Sequence, residues 1–286
     1  MPELPEVETI VTALRHPIEW PFTIEGGLAS QPGVVGRRIL RASIYWSRTI
    51  ATPSFEAFAD QIRGLTVQNV SRRGKFVVID LSPMTLLIHL RMSGDLRVEE
   101  NIQPRQLHDR LSLDFEDNTR LVFNDTRKFG RVWLVDDPGT VTGKLGPDPF
   151  DPNLLPGIFY SRLKMKPTRI KALLLDQNFI AGIGNIYSDE ALFRAKIHPL
   201  RPAKSLTRDE AGLLLHAIRE VLSDGIARNG ASIDWVYRGG SFQNHFKVYQ
   251  RTGQPCETCG TLIERIVVGQ RGTHYCPKCQ RLHTSA

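Results

Sequence analysis

Several features are scarce or missing in this chain of 286 residues, and each absence excludes a class of protein. Its longest apolar runs, such as TLLIHL at 85–90, are far shorter than the roughly 20 residues that span a bilayer. The first residues, MPELPEVE, contain neither the basic nor the apolar region of a secretory signal, so we expect a cytoplasmic protein with no membrane role. Internal repeats and low-complexity tracts are also missing, which excludes solenoids and disordered chains.

Cysteine is confined to one short segment near the end of the chain. The four cysteines are spaced C-x2-C-x16-C-x2-C, and they are Cys256, Cys259, Cys276 and Cys279. This spacing is typical of a four-thiolate zinc site, and four protein sulfurs leave no open position for a substrate. The alternative is two disulfides, which require an oxidising compartment. We therefore expect one structural Zn²⁺.

Acidic charge is scarce in the second half of the chain. Residues 160–286 hold 19 Lys+Arg against 10 Asp+Glu, whereas residues 1–159 hold 18 against 20. A basic half beside a nearly neutral one is typical of a protein that binds a polyanion such as nucleic acid. A basic surface without any partner gives the same balance.

Short strand-like runs dominate the first half of the chain. A helix is predicted at 3–15, an irregular surface loop at 17–36 and a second helix at 54–63. The predicted strands are 38–46, 65–73, 75–81, 85–92, 110–115, 120–125 and 131–135, with turns at 93–95 and 116–118. Because helices do not alternate with these strands, they favour an antiparallel β-sandwich over a parallel sheet.

Helices dominate after the proline-rich segment 146–152. They are predicted at 168–175, 185–195 and 207–228, and a strand at 246–250 leads into the cysteine module. The fold class is thus α+β and multidomain. We expect a sandwich domain at 1–150, a helical domain at 151–240 and a zinc module at 241–286.

Several segments combine residues that suit phosphate or base contacts. Gly182-Ile-Gly184 opens a helix at Asn185, where free backbone N–H groups favour an anion, although a plain helix cap has the same sequence. Lys75 lies between two strands, either as a phosphate ligand or as a solvated charge. Arg127 and Phe129 flank Lys128 in a strand connection, which is either a wedge between bases or part of a core.

Three further residues are ambiguous by themselves. His89 and Met92 occur in an apolar strand, where core residues are the simplest interpretation. Arg271 lies on the hairpin between the two cysteine pairs, where an arginine either contacts phosphate or is merely exposed.

Pro2 and Glu3 raise a chemical possibility. If Met1 is removed, Pro2 becomes a secondary amine, and α-amines have pKa values of about 7.7–8.0. Such an amine can condense with an aldehyde to a cationic iminium, an electron sink for breaking nearby C–O bonds. Glu3 stands next to it for proton transfer. The simpler interpretation is that Pro2 only starts the helix.

The motifs together resemble one known family. PELPEVET at 2–9, RRGK at 72–75, HLRMSG at 89–94, TRKFG at 126–130, GIGNIYSDEALF at 182–193 and QRGTHYCPKCQ at 270–280 occur in this order. Over nearly its whole length the chain resembles the bacterial formamidopyrimidine-DNA glycosylases, which repair oxidised purines. The resemblance implies an N-terminal β-sandwich with an N-terminal helix, a helix-two-turn-helix domain and a C-terminal zinc-ribbon finger.

The resemblance also implies a mechanism and roles for individual residues. Pro2 attacks C1′ of the damaged nucleotide, Glu3 moves protons, and β- and δ-elimination then cut both sides of the abasic site. Lys75 and Arg271 serve the lesion's phosphates and the elimination steps, and Asn185 holds a phosphate. Met92, Arg127 and Phe129 fill the gap left by the extruded base, with Arg127 facing the orphaned partner base. DNA contacts are further implied for His89, His108 and Lys166.

The implied partner is double-stranded DNA with oxidised bases or abasic sites, bound by a monomer in the bacterial cytoplasm, at the nucleoid. Two departures from the family are the extra stretch 17–36 and a short segment at 230–243, where the family carries the loop that covers the extruded base. Base preference therefore stays open, and the sister family that removes oxidised pyrimidines is the nearest competing hypothesis. A non-catalytic DNA-damage-binding protein is a hypothesis from a different class, and a zinc-ribbon transcription factor is a third, which leaves the N-terminal motif unexplained.

Overall fold

The computed structural model describes residues 1–16, 18–19, 30–31, 33–232 and 239–282. The chain forms two compact units, Met1–Gly143 and Lys144–Ala286. Within the described ranges, every helix is too short or too polar to cross a bilayer.

The first unit consists mainly of short strands. Its helices are α1 (Leu4–Arg15), α2 (Phe55–Ile62) and α3 (Gly139–Thr142). Its strands are β1 (Ile18–Glu19), β2 (Ser30–Gln31), β3 (Ile39–Ile44), β4 (Ile50–Thr52), β5 (Asn69–Arg73), β6 (Phe76–Asp80), β7 (Thr85–His89), β8 (Gly94–Glu100), β9 (Asp109–Phe115), β10 (Thr119–Asp125) and β11 (Arg131–Val135).

Two sheets form the predicted sandwich. One has the strand order β3-β9-β10-β8, and the other has the order β4-β11-β7-β6-β5. All pairings in these two sheets are antiparallel except that of β4 with β11. Residues opposite one another share a face of a sheet, and the row Val132, Ile88 and Val77 is buried across three strands. The five-stranded sheet thus contributes a row of apolar side chains to the core.

Helix α1 confirms the periodicity prediction. Its apolar stripe, with Leu4, Val7 and Leu14 among its members, is buried. Polar side chains fix the helix to β5: Arg72 Nε lies 2.8 Å from a Glu8 carboxylate oxygen, and Arg15 Nε donates to the Val70 carbonyl at 2.9 Å. The middle and the C-terminal end of α1 are therefore held beside β5.

The second unit begins with helices and ends with a small hairpin. Its helices are α4 (Pro156–Lys164), α5 (Ile170–Leu175), α6 (Asn185–Arg194) and α7 (Arg208–Ala227), and its strands are β12 (Glu264–Val268) and β13 (Arg271–Tyr275). The predicted capping box of α7 is present, with Thr207 and Glu210 each bonded to the other's backbone N–H.

Some element predictions are wrong. A turn was predicted at 93–95, but strand β8 begins at Gly94. Its charged residues form ion pairs within the sheet: Glu99 pairs with Arg97 on the same strand and with Arg120 on β10. The strand predicted at 246–250 is a series of bends and turns, because the backbone N–H groups of 247–249 donate to the Glu190 carboxylate instead of to a strand.

Two further differences concern connections. Helix α4 was not predicted, although Pro156 occupies its first turn, where proline is favoured. In the stretch 17–36, predicted to be irregular, Ile18–Glu19 pairs with Ser30–Gln31. Most of the rest of that stretch, and much of the short segment 230–243, lies outside the described residues.

Candidate active site and nucleic-acid interface

Pro2 and Glu3 lie at the start of α1. Glu3 is the N-cap residue, and its backbone N–H donates to the Glu6 carboxylate at 2.8 Å in a capping box. Pro2 and Glu3 are both buried, whereas Met1 is 43 % exposed. The capping box therefore holds Glu3 at the start of the helix, directly after the buried Pro2.

Lys75 lies in the two-residue turn that joins β5 to β6. Gly74 precedes it with φ of +59°, a conformation that glycine adopts at no steric cost. Arg72 clamps this turn through its bond to the Gly74 carbonyl at 3.2 Å, while also pairing with Glu8 of α1. The Lys75 side chain is 5 % exposed, so its ammonium is held by the fold and is not a solvated surface charge.

His89 ends β7, opposite Phe76, with their rings edge to face at 4.7 Å. Its Nδ1 accepts the backbone N–H of Arg91 at 3.0 Å, which leaves Nε2 to carry the ring proton. Burial, with the nearby cations Arg91 and Lys75, lowers the pKa of His89 to about 3. His89 is therefore a neutral N–H donor near Lys75.

Two loops of the first unit are joined by Asp125, which is 1 % exposed at the end of β10. Its carboxylate accepts from Ser93 Oγ at 2.5 Å, from Gly130 N at 2.7 Å and from Arg127 N at 3.2 Å. Ser93 follows Met92, so the loop of Met92 and the loop of Arg127 are bonded to one buried group.

Phe129 lies in the loop that Asp125 holds, and its side chain is half exposed. The Arg127 guanidinium lies 5.1 Å from the centre of the Phe129 ring, and Phe129 is 50 % exposed. Lys128 between them has φ of +60° and directs its ammonium to the ring of Trp46 at 4.2 Å. A half-exposed aromatic ring on a firmly bonded loop suits insertion between bases more than membership of a core.

His108 lies directly before β9, and its carbonyl accepts the Asp125 N–H at 2.9 Å. Its Nδ1 is 3.2 Å from Arg110, whose Nε donates to the Asp125 carbonyl. The structure thus brings His108 to the same group of hydrogen bonds as Arg127.

Asn185 lies beside the strand that carries Arg271 in the second unit. Asn185 is the first residue of α6, and its Nδ2 donates to the carbonyl of Gly272, the residue after Arg271, at 2.9 Å. The buried Oδ1 atom of Asn185 has no hydrogen-bond partner among the described residues. Arg271 and Lys166 are both exposed, and Lys166 lies just beyond the end of α4.

The four cysteine sulfurs converge as the spacing predicts. All lie within 4.8 Å of one another, with Sγ–Sγ distances of 3.9 Å for Cys256–Cys279 and 3.5 Å for Cys259–Cys276. Zinc–sulfur bonds of about 2.3 Å place tetrahedral sulfurs roughly 3.8 Å apart, whereas a disulfide requires about 2.05 Å. The site therefore fits one structural zinc ion, and the disulfide alternative is excluded.

Sequence reasoning missed the groups that hold these residues in place. Asp125 precedes the wedge motif, and Asp189 and Glu190 lie within the motif GIGNIYSDEALF, but no role was predicted for any of the three. The sequence did contain a signal for them, because each is an acidic residue inside an otherwise apolar or turn-forming segment. A carboxylate buried in such a segment needs several hydrogen-bond donors.

The β-sandwich, the helical unit and the four-thiolate ribbon are the three parts that the sequence resemblance implies. Three family models match the chain: the formamidopyrimidine-DNA glycosylase N-terminal domain at 1–132, the H2TH domain of the same enzyme at 145–236, and the zinc finger found in FPG and IleRS at 253–282. The chain belongs to the formamidopyrimidine-DNA glycosylase family.

Similar proteins are matched along nearly their whole length. The formamidopyrimidine-DNA glycosylase of Protochlamydia amoebophila is 41% identical over 98% of this chain and 100% of that protein. That of Chloroflexus aggregans is 44% identical over 99% of each. The structure of Lactococcus lactis FPG with FAPY-dG-containing DNA covers 98% of this chain and 100% of its own, at 35% identity and a TM-score of 0.86.

These findings confirm the predicted fold class, enzyme class and metal. The chain is a DNA-repair glycosylase and lyase that binds DNA and holds one structural zinc ion.

Proposed function

We propose that the amine of Pro2, after removal of Met1, is the nucleophile of the glycosylase reaction. The observation that carries this is the position of Pro2 and Glu3 at the capped N-terminus of α1, where both residues are buried. The Pro2 nitrogen bonds to C1′ as the bond from C1′ to the base breaks. The base leaves with the bonding electron pair and takes a proton from water, and Glu3 accepts the proline's N–H proton. Ring opening then gives a cationic iminium that carries the charge without a further proton.

Glu3 moves the protons of these steps. Its carboxylate accepts the proton from the Pro2 nitrogen, and the resulting carboxyl passes that proton to the sugar ring oxygen as the ring opens, which regenerates the carboxylate. The iminium withdraws electrons, so a proton leaves C2′ as the 3′ C–O bond breaks, and δ-elimination then breaks the 5′ C–O bond. Water finally hydrolyses the iminium and releases the amine.

The positively charged and amide side chains hold DNA phosphates. We assign this role to Lys75, Arg271, Asn185 and Lys166, supported by the buried position of Lys75 and by the Asn185–Gly272 bond beside Arg271. Neutral His89, through its Nε2–H, and His108 add further contacts. Lys75 and Arg271 also act in the elimination steps.

Met92, Arg127 and Phe129 fill the space left when the damaged nucleotide leaves the stack, which chemistry at C1′ requires. The support is the Asp125 network that bonds both of their loops together. Arg127 faces the orphaned partner base.

Oxidised purines are the proposed substrates, formamidopyrimidines and 8-oxoguanine, because the matched relatives bear the name formamidopyrimidine-DNA glycosylase. The protein acts as a monomer on nucleoid DNA in the bacterial cytoplasm. We propose the same functional division as the sequence predicts: a catalytic sandwich at 1–150, a helix-two-turn-helix domain at 151–240 and a zinc finger at 241–286.

A panel of duplexes tests this function. Duplexes carry one formamidopyrimidine, 8-oxoguanine, an oxidised pyrimidine or an abasic site, and strand cleavage is scored. We expect cleavage at both sides of the two purine lesions and of the abasic site. Faster cleavage of the oxidised pyrimidine would favour the sister-family activity, and binding without any cleavage would favour a damage-binding protein.

A further inference from the structure

A fully buried ion pair joins two helices of the second unit. Lys171 on α5 and Asp189 on α6 are both 0 % exposed, with Nζ and Oδ1 2.5 Å apart. Removing two charges from water is costly, and an apolar pair of similar volume often gives equal or greater stability. Stability alone is thus a weak explanation for this pair, and its other contacts indicate what it does.

Lys171 holds the first turn of α6. Besides Asp189, its ammonium donates to the Asn185 carbonyl at 3.0 Å and to Ser188 Oγ at 2.7 Å. Three directed bonds from one ammonium fix the helix start that carries Asn185.

Asp189 directs its other oxygen to the zinc hairpin. Oδ2 accepts the backbone N–H of His274 at 2.9 Å and lies 3.1 Å from His274 Nδ1, which donates when protonated. His274 is on β13, the strand that begins at Arg271. Two residues earlier on this strand, the Gly272 carbonyl accepts from Asn185.

These bonds act on a part of the hairpin that the zinc site does not hold. The cysteines are Cys256, Cys259, Cys276 and Cys279, and all of them lie before β12 or after β13. The turn at 269–270 is at the other end of the hairpin. Gly269 lies so close to α5 there that a side chain at this position would be in van der Waals contact with Ala172, at 3.6 Å. The end of the hairpin that carries Arg271 is therefore fixed by α5 and α6.

We propose that Asp189, held in place by Lys171, is a positioning residue for Arg271, acting through His274 on β13. This inference rests on the proposed function, in which Arg271 binds a DNA phosphate. A charged acceptor for the His274 backbone fixes the register of β13 against α6, and small displacements of a ligand from its target weaken the contact strongly.

A double-mutant cycle tests the inference on the zinc-loaded full chain. The measurement is the Kd for a duplex with an uncleavable abasic-site analogue, for Asp189→Asn alone and combined with Arg271→Ala. Asp189→Asn should weaken binding by about 10- to 100-fold, the loss of one hydrogen bond to a charged group. In the Arg271→Ala background the same change should have little further effect, because the group being positioned is gone.

The matched control is the Lys166→Ala background, where Asp189→Asn should keep its full effect because Lys166 is not on β13. An equal effect of Asp189→Asn with and without Arg271 would overturn the inference. If Arg271→Ala alone leaves Kd unchanged, the proposed phosphate role of Arg271 fails first, and the inference fails with it.

A second variant separates positioning from folding. Lys171→Met with Asp189→Leu replaces the pair by apolar side chains, and it should recover the melting temperature that Asp189→Leu alone loses. Zinc content should stay at one ion per chain while DNA binding stays weak. Recovery of the wild-type Kd together with the melting temperature would show that the pair serves only the fold.

Discussion

At the scale of single residues, His89 shows how burial sets the chemistry of a contact. Its ring is packed against Phe76, and its pKa is lowered to about 3 by burial and by the cations Arg91 and Lys75. At neutral pH His89 therefore carries no positive charge. It offers a single N–H donor, because Nδ1 is occupied by the Arg91 backbone.

The lowered pKa predicts acid sensitivity of the first unit. The folded pKa lies below the ordinary value of 6.5, so the stability due to neutral His89 is complete above 6.5 and is lost as pH falls from 6.5 toward 3. One group contributes at most about 1.4 kcal/mol per pH unit in this window.

A neutral replacement should reduce this dependence. We expect the free energy of unfolding of His89→Gln, measured by urea titration, to fall less steeply than that of the wild type between pH 6 and 4. The exposed His245 provides a matched control, and His245→Gln should leave the slope unchanged. Parallel curves for His89→Gln and wild type would contradict the depressed pKa.

At the scale of elements, the loops of Met92 and Arg127 depend on Asp125. Its two carboxylate oxygens accept from Ser93, Arg127 and Gly130, and asparagine offers only one such oxygen. Asp125→Asn should therefore leave a buried donor unpaired, at a cost of about 1–3 kcal/mol of stability.

The functional result should be selective. A loosened wedge should slow excision of an intact lesion more than cleavage of a preformed abasic site, because only the former must extrude a base against stacking. Single-turnover rates on both duplexes measure this, with Asp136→Asn on an exposed bend as the control. An equal loss on both substrates would assign Asp125 to folding alone.

Helices whose apolar spacing and capping residues lie within the helix could be predicted from the sequence. Segments whose conformation depends on contacts with residues far along the chain could not. Helices α1 and α7 were found because apolar spacing and capping residues lie within the helix itself. Strand β8 and the turn at 247–249 were missed because their shape depends on ion pairs with other strands and on the Glu190 carboxylate, 57 residues from Lys247. Those contacts are not visible in the local sequence, although the alternation of buried Leu96 and Val98 with polar residues in β8 was a local signal that the prediction did not use.

At the scale of the whole molecule, the residues proposed for catalysis and DNA contact are found in both units. Pro2, Glu3 and Lys75 belong to Met1–Gly143, whereas Asn185 and Arg271 belong to Lys144–Ala286 together with the zinc site. The candidate site residues could be named from the sequence, because they lie in the motifs that this chain shares with the family it resembles. The residues that hold these side chains in place could not be predicted, because each has a hydrogen-bond partner that is distant in the sequence. They are Asp125, Lys171 and Asp189.

The zinc site is predicted to be needed for DNA binding by the second unit. The module's own apolar cluster is small: Val248, Ile263, Cys256 and Cys276 are its buried members, with Phe193 of α6 packed on it. Without the metal, this cluster is too small to hold the module, because structural zinc contributes folding energy directly. Cys259→Ser should release zinc and abolish binding while the sandwich stays folded.

The measurement is zinc content by atomic absorption, Kd for abasic-site DNA and the near-UV circular dichroism of the aromatic residues in the sandwich. The exposed Thr258→Ala beside the same knuckle is the matched control and should keep one zinc ion. Full binding by a Cys259→Ser protein that still carries one zinc would refute the requirement.

The nucleophile is the central claim, and the geometry of Pro2 predicts how its variants behave. Pro2→Gly keeps an α-amine that can condense with an open-chain aldehyde, but it lacks the ring that directs the nitrogen toward C1′. Small misplacements of a nucleophile are costly in rate. We therefore expect loss of most base excision with some cleavage of preformed abasic sites.

The most direct measurement is borohydride trapping on two forms of the wild-type chain, one with Met1 removed and one with Met1 retained behind a tag, with each N-terminus verified by mass spectrometry. Each form is incubated with an 8-oxoguanine duplex and sodium borohydride, and the crosslinked peptide is identified. The account predicts a covalent adduct on Pro2 in the processed form and neither adduct nor base excision in the tagged form, whose Pro2 nitrogen is acylated. Base excision and a trapped adduct in the tagged form would contradict it and would make a side-chain amine, such as that of Lys75, the nucleophile.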